Sequence, residues 1–382
     1  MSRLFTSLAV LVALVAAAYR FYVQPMQLVL GSGRVLESLG KTDCKTVPAL
    51  TACEKLVLHA PTGVLYLACS TPESRVAWVP AVGQLNASGH ENKDYIATYD
   101  PSTGAVVRLQ PTFPGFGSHG MDVVPSSSNP SELFIYAVNH RRPTDAAHVE
   151  ANSTIEIFKT SVGSKTLTHL RTVYDPSVIW TPNDVIGAAD GRSFFFTNDH
   201  TWKTGPREIL SLLGIEAGSV GYCHVDEGCK IAYPRLQGAN GIARASPSND
   251  TIFVGHAKFR DIRVFERQAD NTLRKTHTIP MDRPVDNLSV DKDGAVWAAA
   301  FPFPLRIIEH IANPSVLSPT SAHAIVQNTG LDAFYGERYR VEKRFEDDGT
   351  LASGTTSVVH DAERGLLFLH GIAAPHLTVC KL

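Results

Sequence analysis

The sequence predicts an all-β fold, a six-bladed β-propeller of four-stranded blades, and three observations carry that expectation. First, short runs rich in aromatic and β-branched residues succeed one another after residue 43, among them 64–67, 95–99, 133–138, 193–197, 251–254 and 366–369. Second, Gly, Pro, Asn and Asp separate these runs, the punctuation of strands joined by turns. Roughly two dozen strands can be counted, which suits six four-stranded sheets better than one sandwich. Third, one phrase recurs along the chain: a polar residue, a short strand, a turn, then a hydrophobic strand.

The six copies are led by Glu54, His119, Asn183-Asp184, Asn240, Asp286-Asn287 and Thr355-Thr356. Turns such as Asp190-Gly191 and Asp293-Gly294 follow, each ahead of an apolar strand. A repeat of this kind makes one supersecondary unit, so six copies imply six blades. The first strand of each blade lines the central channel of a propeller. The polar leaders are therefore expected at one end of that channel, although they are distant in sequence.

Two segments fall outside the repeat. Arg3 precedes an apolar run over 4–18, which ends in Tyr19-Arg20-Phe21-Tyr22. One basic residue ahead of a short apolar run reads as a secretory signal. The run is short of the about 20 residues a spanning helix needs. The aromatics after it suit a membrane interface, so a signal-anchor stays open beside a cleaved signal. The expected division is 1–23 signal peptide or signal-anchor, 24–42 linker or helical segment, and 43–382 propeller. The second segment, 206–216, has the apolar spacing of a short helix. It follows Asp199-His200 and is expected over the leader end of the channel, as a lid or as an ordinary capping helix.

Composition narrows the function. The 382 residues carry a net charge of −2, and the sequence pI is near 6.7. That balance argues against a nucleic-acid partner, which would require a basic stripe. Six cysteines, an even number, point to disulfides in an oxidising compartment. Cys223 and Cys229 are close enough to pair locally, whereas Cys53 and Cys69 flank a hairpin and their pairing is open. Sequons at Asn86, Asn152 and Asn249 fit a glycosylated chain. The expected location is secreted or anchored in the endomembrane system, on the lumenal or extracellular side. Membrane or lipid association through the N-terminal segment belongs to the same expectation.

Gathered at one channel end, Glu54, Asn183, Asp184, Asn240, Asp286 and Asn287 make a hard-oxygen set without thiolates. Such a set favours Ca²⁺ over zinc or copper. Glu54 and Asp286 would offset the charge and the asparagines would supply neutral carbonyl oxygens. Calcium takes roughly six to eight oxygens, which leaves room for water and for a substrate carbonyl. The motifs of other hydrolases and of phosphate binders, Gly-x-Ser-x-Gly, His-Glu-x-x-His and the phosphate loop, are not in the sequence.

The order Glu54, His119-Gly120, 138–140, 182–184, 197–200, 239–241 and 285–291 resembles the paraoxonase/arylesterase family. The resemblance runs from about Asp43 to Leu382, and Cys44 and Cys380 match that family's ring-closing disulfide. It implies a calcium-dependent hydrolase of lactones or aryl esters. By the same resemblance, Glu54, Asn183, Asn240, Asp286 and Asn287 hold a catalytic calcium, and His119 with His140 activates water. Asp286 is a rival base, and Asp199 with His200 would extend the proton relay. Trp202, Phe301 and Phe303 are candidate pocket-lining aromatics.

One departure bears on the metal count. The family usually has two adjacent acids in the first motif, the second helping to bind a structural calcium, but here the second position is Lys55. The expectation is one ion, with Lys55 against Asp184 in place of the other. The alternative is that Lys55 turns outward and Asp184 still binds a second ion. Two further readings compete with hydrolysis: a strictosidine-synthase-like propeller and a non-enzymatic binding propeller with structural calcium. Asn287-Leu-Ser is formally a sequon, but a channel ligand is expected to be bare.

Overall fold

The computed structural model of the chain describes residues 2–89, 94–111, 113–143, 150–201, 218–245, 250–331, 333 and 336–382. Its strands form six four-stranded antiparallel sheets and one two-stranded ribbon, as the repeat predicts. The innermost strands are Lys55–His59, Ser118–Pro125, Pro182–Gly187, Ala239–Arg244, Val285–Val290 and Ser357–Asp361. We number the blades one to six in that order. Blade six takes its outermost strand, Thr42–Val47, from the other end of the chain, paired with Leu377–Lys381. Closure of the ring is therefore a matter of ordinary sheet hydrogen bonds.

Apolar side chains fill the spaces between neighbouring blades. Leu65, Leu67, Tyr95 and Tyr99 of blade one pack with Phe368, Leu377 and Val379 of blade six. Tyr136, Val138 and Ile155 of blade two meet Val185, Phe194 and Phe196 of blade three. Each such side chain contributes about 1.5–3 kcal/mol when fully buried. Alternation along each strand gives both of its faces a neighbouring blade to pack on, so the strands read as near-continuous apolar runs.

All six cysteines are paired, as Cys44–Cys380, Cys53–Cys69 and Cys223–Cys229. The first fastens the outermost strand of blade six to its neighbour. The second, which the sequence left open, ties the residue before Glu54 to the end of the second strand of blade one.

The N-terminal helix is longer than its apolar run. Ser2–Ala18 continues through a π-helical turn, Tyr19–Val23, into Gln24–Val29. Arg20 and Gln24 are good helix formers, and their side chains bond at 2.5 Å one turn apart. The segment Phe5–Val29 is, by length and composition, apolar and long enough to cross a membrane. Arg34 then ties the chain to the propeller, its guanidinium donating to the Pro302 and Asp282 carbonyls.

Two helices stand on the leader end of the channel without having been expected. Pro72–Ala77 is capped by Thr71, whose hydroxyl accepts from the Ser74 N–H at 3.2 Å. Pro304–Ala312 starts on a proline and buries Ile307 and Ile311. The helix expected over 206–216, Trp202 and the sequon at Asn249 lie outside the described residues. Asn86 is exposed, Asn152 is half-buried at the start of Asn152–Ser161, and Asn287 is fully buried.

Candidate active site

The leaders are aimed by a repeated irregularity. In blades two to five the ladder between first and second strands skips, between Ser118 and Met121, Pro182 and Val185, Ala239 and Ile242, and Val285 and Leu288. The residues inside the skips are His119-Gly120, Asn183-Asp184, Asn240-Gly241 and Asp286-Asn287. A bulge releases side chains from strict alternation, which lets these residues turn toward the channel. The two glycines follow from crowding. A Cβ on Gly120 would lie 2.3 Å from the Asn183 carbonyl oxygen, and one on Gly241 2.5 Å from the Asn287 Cα.

The result is a cavity of about 210 Å³ with a polar floor and an apolar wall. Glu54, His119, Asn183, Asp199, Asn240, Asp286 and Thr356 line the floor side. Asn287 lies behind Glu54: its amide donates to Glu54 Oε1 at 2.9 Å. The Thr356 hydroxyl donates to Glu54 Oε2 at 2.5 Å. Asn240 hydrogen-bonds Asp286. Asn183 Nδ2 stands 3.3 Å from His119 Nε2, and Glu54 Oε1 is 4.0 Å from the same nitrogen. The His140 ring lies behind His119, with centroids 5.1 Å apart, and its Nδ1 meets Ser153 Oγ at 3.0 Å.

Three amide oxygens are the informative atoms. Oδ1 of Asn183, Asn240 and Asn287 is buried and has no hydrogen-bond partner among the described residues. Buried polar atoms are nearly always satisfied, so three unsatisfied oxygens of one chemical type, two on the floor and the Asn287 oxygen behind Glu54, call for an electropositive occupant. The carboxylates point the same way. Burial pushes the Glu54 carboxyl up to about 7, against the pull of Thr356, Arg75 and Asn287. Asp286 is raised well above the usual carboxylate range by burial and then by the charges of Glu54 and Asp184. A cation among them would relieve both. Amides and carboxylates together fit a hard divalent ion. Among the described residues, no cluster of three or more His, Cys, Asp or Glu side chains could hold a metal by itself, so the set depends on asparagine. Burial, reinforced by the Arg75 charge, lowers His119 to about 3 and leaves its imidazole neutral.

One layer down, the chemistry changes sign. Lys55 Nζ lies 2.5 Å from Asp184 Oδ2 and donates to the Leu288 carbonyl at 3.1 Å. Both side chains are buried, at 5% and 0% exposure. Asp184 Oδ2 also accepts from the Ile242 N–H at 3.0 Å. Lys55 thus turns inward to Asp184 rather than outward.

The wall was only partly anticipated. Phe301 lines the cavity as expected, but Phe303 does not: it sits against Gly31 of the N-terminal segment. The rest of the wall is mostly aliphatic, including Val79, Val82, Ile307, Ile311 and Ile372, with one charged residue, Lys258, beside them. His200 Nδ1 contacts Asp199 Oδ1 beside the cavity. Thr356, expected at the channel end as part of the sixth leader but not among the oxygen ligands, also lines the floor.

A family model described as arylesterase matches residues 111–382. Serum paraoxonase/arylesterase 2 of Gallus gallus is 28% identical over 252 residues, covering 65% of this chain and 65% of that protein. Serum paraoxonase/arylesterase 1 of Homo sapiens is 27% identical over 244 residues, 63% of this chain and 62% of that protein. In both cases the match spans just under two thirds of the relative's length. Serum paraoxonase/arylesterase 1 of Rattus norvegicus is 25% identical over 359 residues, 91% of each chain. Among solved structures, a luciferin-regenerating enzyme superposes with a TM-score of 0.51 at 13% identity, over 91% of this chain and 95% of that one. The PQQ-bound aldose sugar dehydrogenase of Streptomyces coelicolor gives 0.52 at 12% identity, over 90% and 99%. These two share the fold alone.

Proposed function

The chain belongs to the arylesterase family, and we propose that it hydrolyses small-molecule lactones or aryl esters at one calcium ion on the floor of the channel mouth. The observation that carries this reading is the set of three buried, unpartnered asparagine oxygens beside two carboxyls that burial and mutual charge hold above their usual range. Glu54, Asn183, Asn240, Asp286 and Asn287 would hold the ion. Bound there, calcium supplies Lewis-acid polarisation of a substrate carbonyl.

The chain's own residues do the remaining work. His119 faces the cavity as a neutral imidazole, the form that accepts a proton from water, while burial and the Arg75 charge weaken it as a base. With Asn183 Oδ1 given to the ion, Asn183 Nδ2 donates to His119 Nε2, and that nitrogen keeps the lone pair. The contact, at 3.3 Å, is long enough for a water to compete for it. His140 packs edge-on behind the His119 ring, at an interplanar angle of 60°, and limits its tilt. Asp286, itself raised toward a proton-accepting range, is the rival base. The aliphatic wall excludes water from the floor and favours substrates with an apolar body.

The count of one ion rests on Lys55. Its ammonium holds the position beside Asp184 that a second cation would need. The apolar helix Phe5–Val29 and three disulfides support entry into the secretory pathway, with the chain secreted or anchored and lipid contact through that helix.

The test is hydrolysis of an aryl acetate and of a γ- or δ-lactone, with calcium and after chelation. Activity is expected to vanish on chelation, to return with calcium, and to fall by at least about 10²-fold in Asn240→Ala. Activity indifferent to both treatments would overturn the mechanism.

A further inference from the structure

The bulge that aims His119 also removes it from the sheet. Ser118 pairs with Asn139, the ladder resumes only at Met121, and His119 and Gly120 lie between without ladder partners. Something else has to fix the backbone that carries this ring. Each polar group of the preceding residue is taken by blade one. The Ser118 carbonyl accepts from Arg75 Nη1 at 2.6 Å, and the Ser118 N–H donates to Asp94 Oδ2 at 2.7 Å. Ser118 Oγ lies 3.3 Å from Arg75 Nη2, 3.2 Å from Asp94 Oδ2 and 3.1 Å from the Cys69 carbonyl. Arg75 and Asp94 are themselves 3.8 Å apart and almost fully buried. Neither lines the cavity.

The other side of the segment is held as well. Gly117 N–H donates to Asn139 Oδ1, and the His140 N–H donates to the Gly117 carbonyl, each at 2.8 Å. Trp78 Nε1, three residues past Arg75, donates to the His140 carbonyl at 2.8 Å. The helix Pro72–Ala77 and the residues after it therefore reach the backbones of both histidines, and the same stretch supplies Val79, Ala81 and Val82 to the cavity wall.

We infer that Arg75 and Asp94 are positioning residues for His119, a buried clamp that replaces the missing ladder bonds and sets where the imidazole stands over the floor. This rests on the reading of His119 as the base. The physical case is one of tolerance. A misplacement of about 1 Å costs on the order of 10²-fold in rate, and a bulged residue has no sheet register to prevent it. A guanidinium grips the carbonyl and a carboxylate grips the N–H of one residue, and so both peptides that flank Ser118, at once. Lysine in place of Arg75 would keep the charge but lose the two-pronged contact.

Arg75→Met alone would strand Asp94 in the interior, so the informative variant is Arg75→Met with Asp94→Asn, beside Arg75→Lys, His119→Gln, and the pair combined with His119→Gln. The measurements are kcat, KM and the thermal unfolding midpoint of the calcium-loaded chain. The paired variant is expected to lose about 10²-fold in kcat with KM within about threefold, and Arg75→Lys to fall between it and wild type. In the His119→Gln background the same pair should change kcat by less than about twofold, because the clamp acts through that ring. An undiminished loss in that background, or unchanged kcat in the folded paired variant, overturns the inference. Full activity in His119→Gln alone would instead remove His119 from the reaction, and both readings with it.

Discussion

Two adjacent layers of one channel carry buried acids, and they are balanced in opposite ways. In the upper layer the described hydrogen bonds to Glu54 and Asp286 come from neutral partners, Asn287, Thr356 and Asn240, and three amide oxygens are unsatisfied among the described residues. In the lower layer a lysine ammonium and the Ile242 N–H both bind Asp184 Oδ2, a carbonyl holds that ammonium from the other side, and Asp184 Oδ1 has no hydrogen-bond partner among the described residues. Neighbours in sequence belong to different layers: Glu54 and Asn183 line the upper cavity, while Lys55 and Asp184 pair beneath it. A cation built into the sequence is permanent, whereas one recruited from solution can leave a coordination position for substrate. Under the proposed function, only the upper layer would therefore have a coordination position to offer a substrate.

The strongest way to break the comparison is to make the lower layer resemble the upper. Lys55→Met should cost about 3–5 kcal/mol in denaturant unfolding, because it leaves a buried carboxylate without its partner. Adding Asp184→Asn should recover most of that loss. Elemental analysis of wild type should give one calcium per chain, and two would show that Lys55 does not stand in for an ion.

Next comes the upper layer itself. Asp286→Asn keeps the shape and removes a charge, so kcat/KM should fall by about 10²–10³-fold, with weaker calcium binding by calorimetry. Proton linkage offers a subtler test. The Glu54 carboxyl sits at about 7 in the calcium-free fold, above its ordinary value of 4.5. A raised folded value means stability that is fully present below the unfolded value and lost as pH rises through the folded one. Relative to Glu54→Gln, the calcium-free wild type should therefore lose on the order of 2 kcal/mol between pH 4.5 and 8. Saturating calcium should abolish the difference, and a difference of the same size with and without calcium would contradict the assignment of Glu54 to the ion. The smallest expected effect is Thr356→Val, about tenfold in calcium affinity, since one charge-assisted hydrogen bond to Glu54 is lost.

Much of this was legible in the chain. Residues that recur as blade leaders announce themselves because every blade repeats the same local problem, a polar residue at the channel followed by strands that bury apolar faces. Glu54, His119, Asn183, Asn240 and Asp286 were found that way, and all five line one cavity. Lys55 stood out against the family resemblance, which implies an acid at that position, and Asp184 was expected as its partner because the same resemblance places a structural ion there. Arg75, Asp94 and Trp78 carried no such signal. They sit in a connection inside blade one, and their partners are backbone groups of blade two, which have no side-chain identity to read.

By itself, then, the sequence determined the number of blades, the strands, the leaders and the oxygen character of the floor, because these depend on periodicity and on the donor atoms each residue type owns. The tertiary structure decided the rest. It set the bulges that turn consecutive leaders toward the channel, and it paired Cys53 with Cys69. It placed the apolar residues of the helix Pro304–Ala312 over the floor while sending Phe303 to Gly31. It also gripped Ser118 between Arg75 and Asp94. These features depend on which backbone group of one blade comes within about 3 Å of another, a distance set by ring closure and packing rather than by any local run of residues.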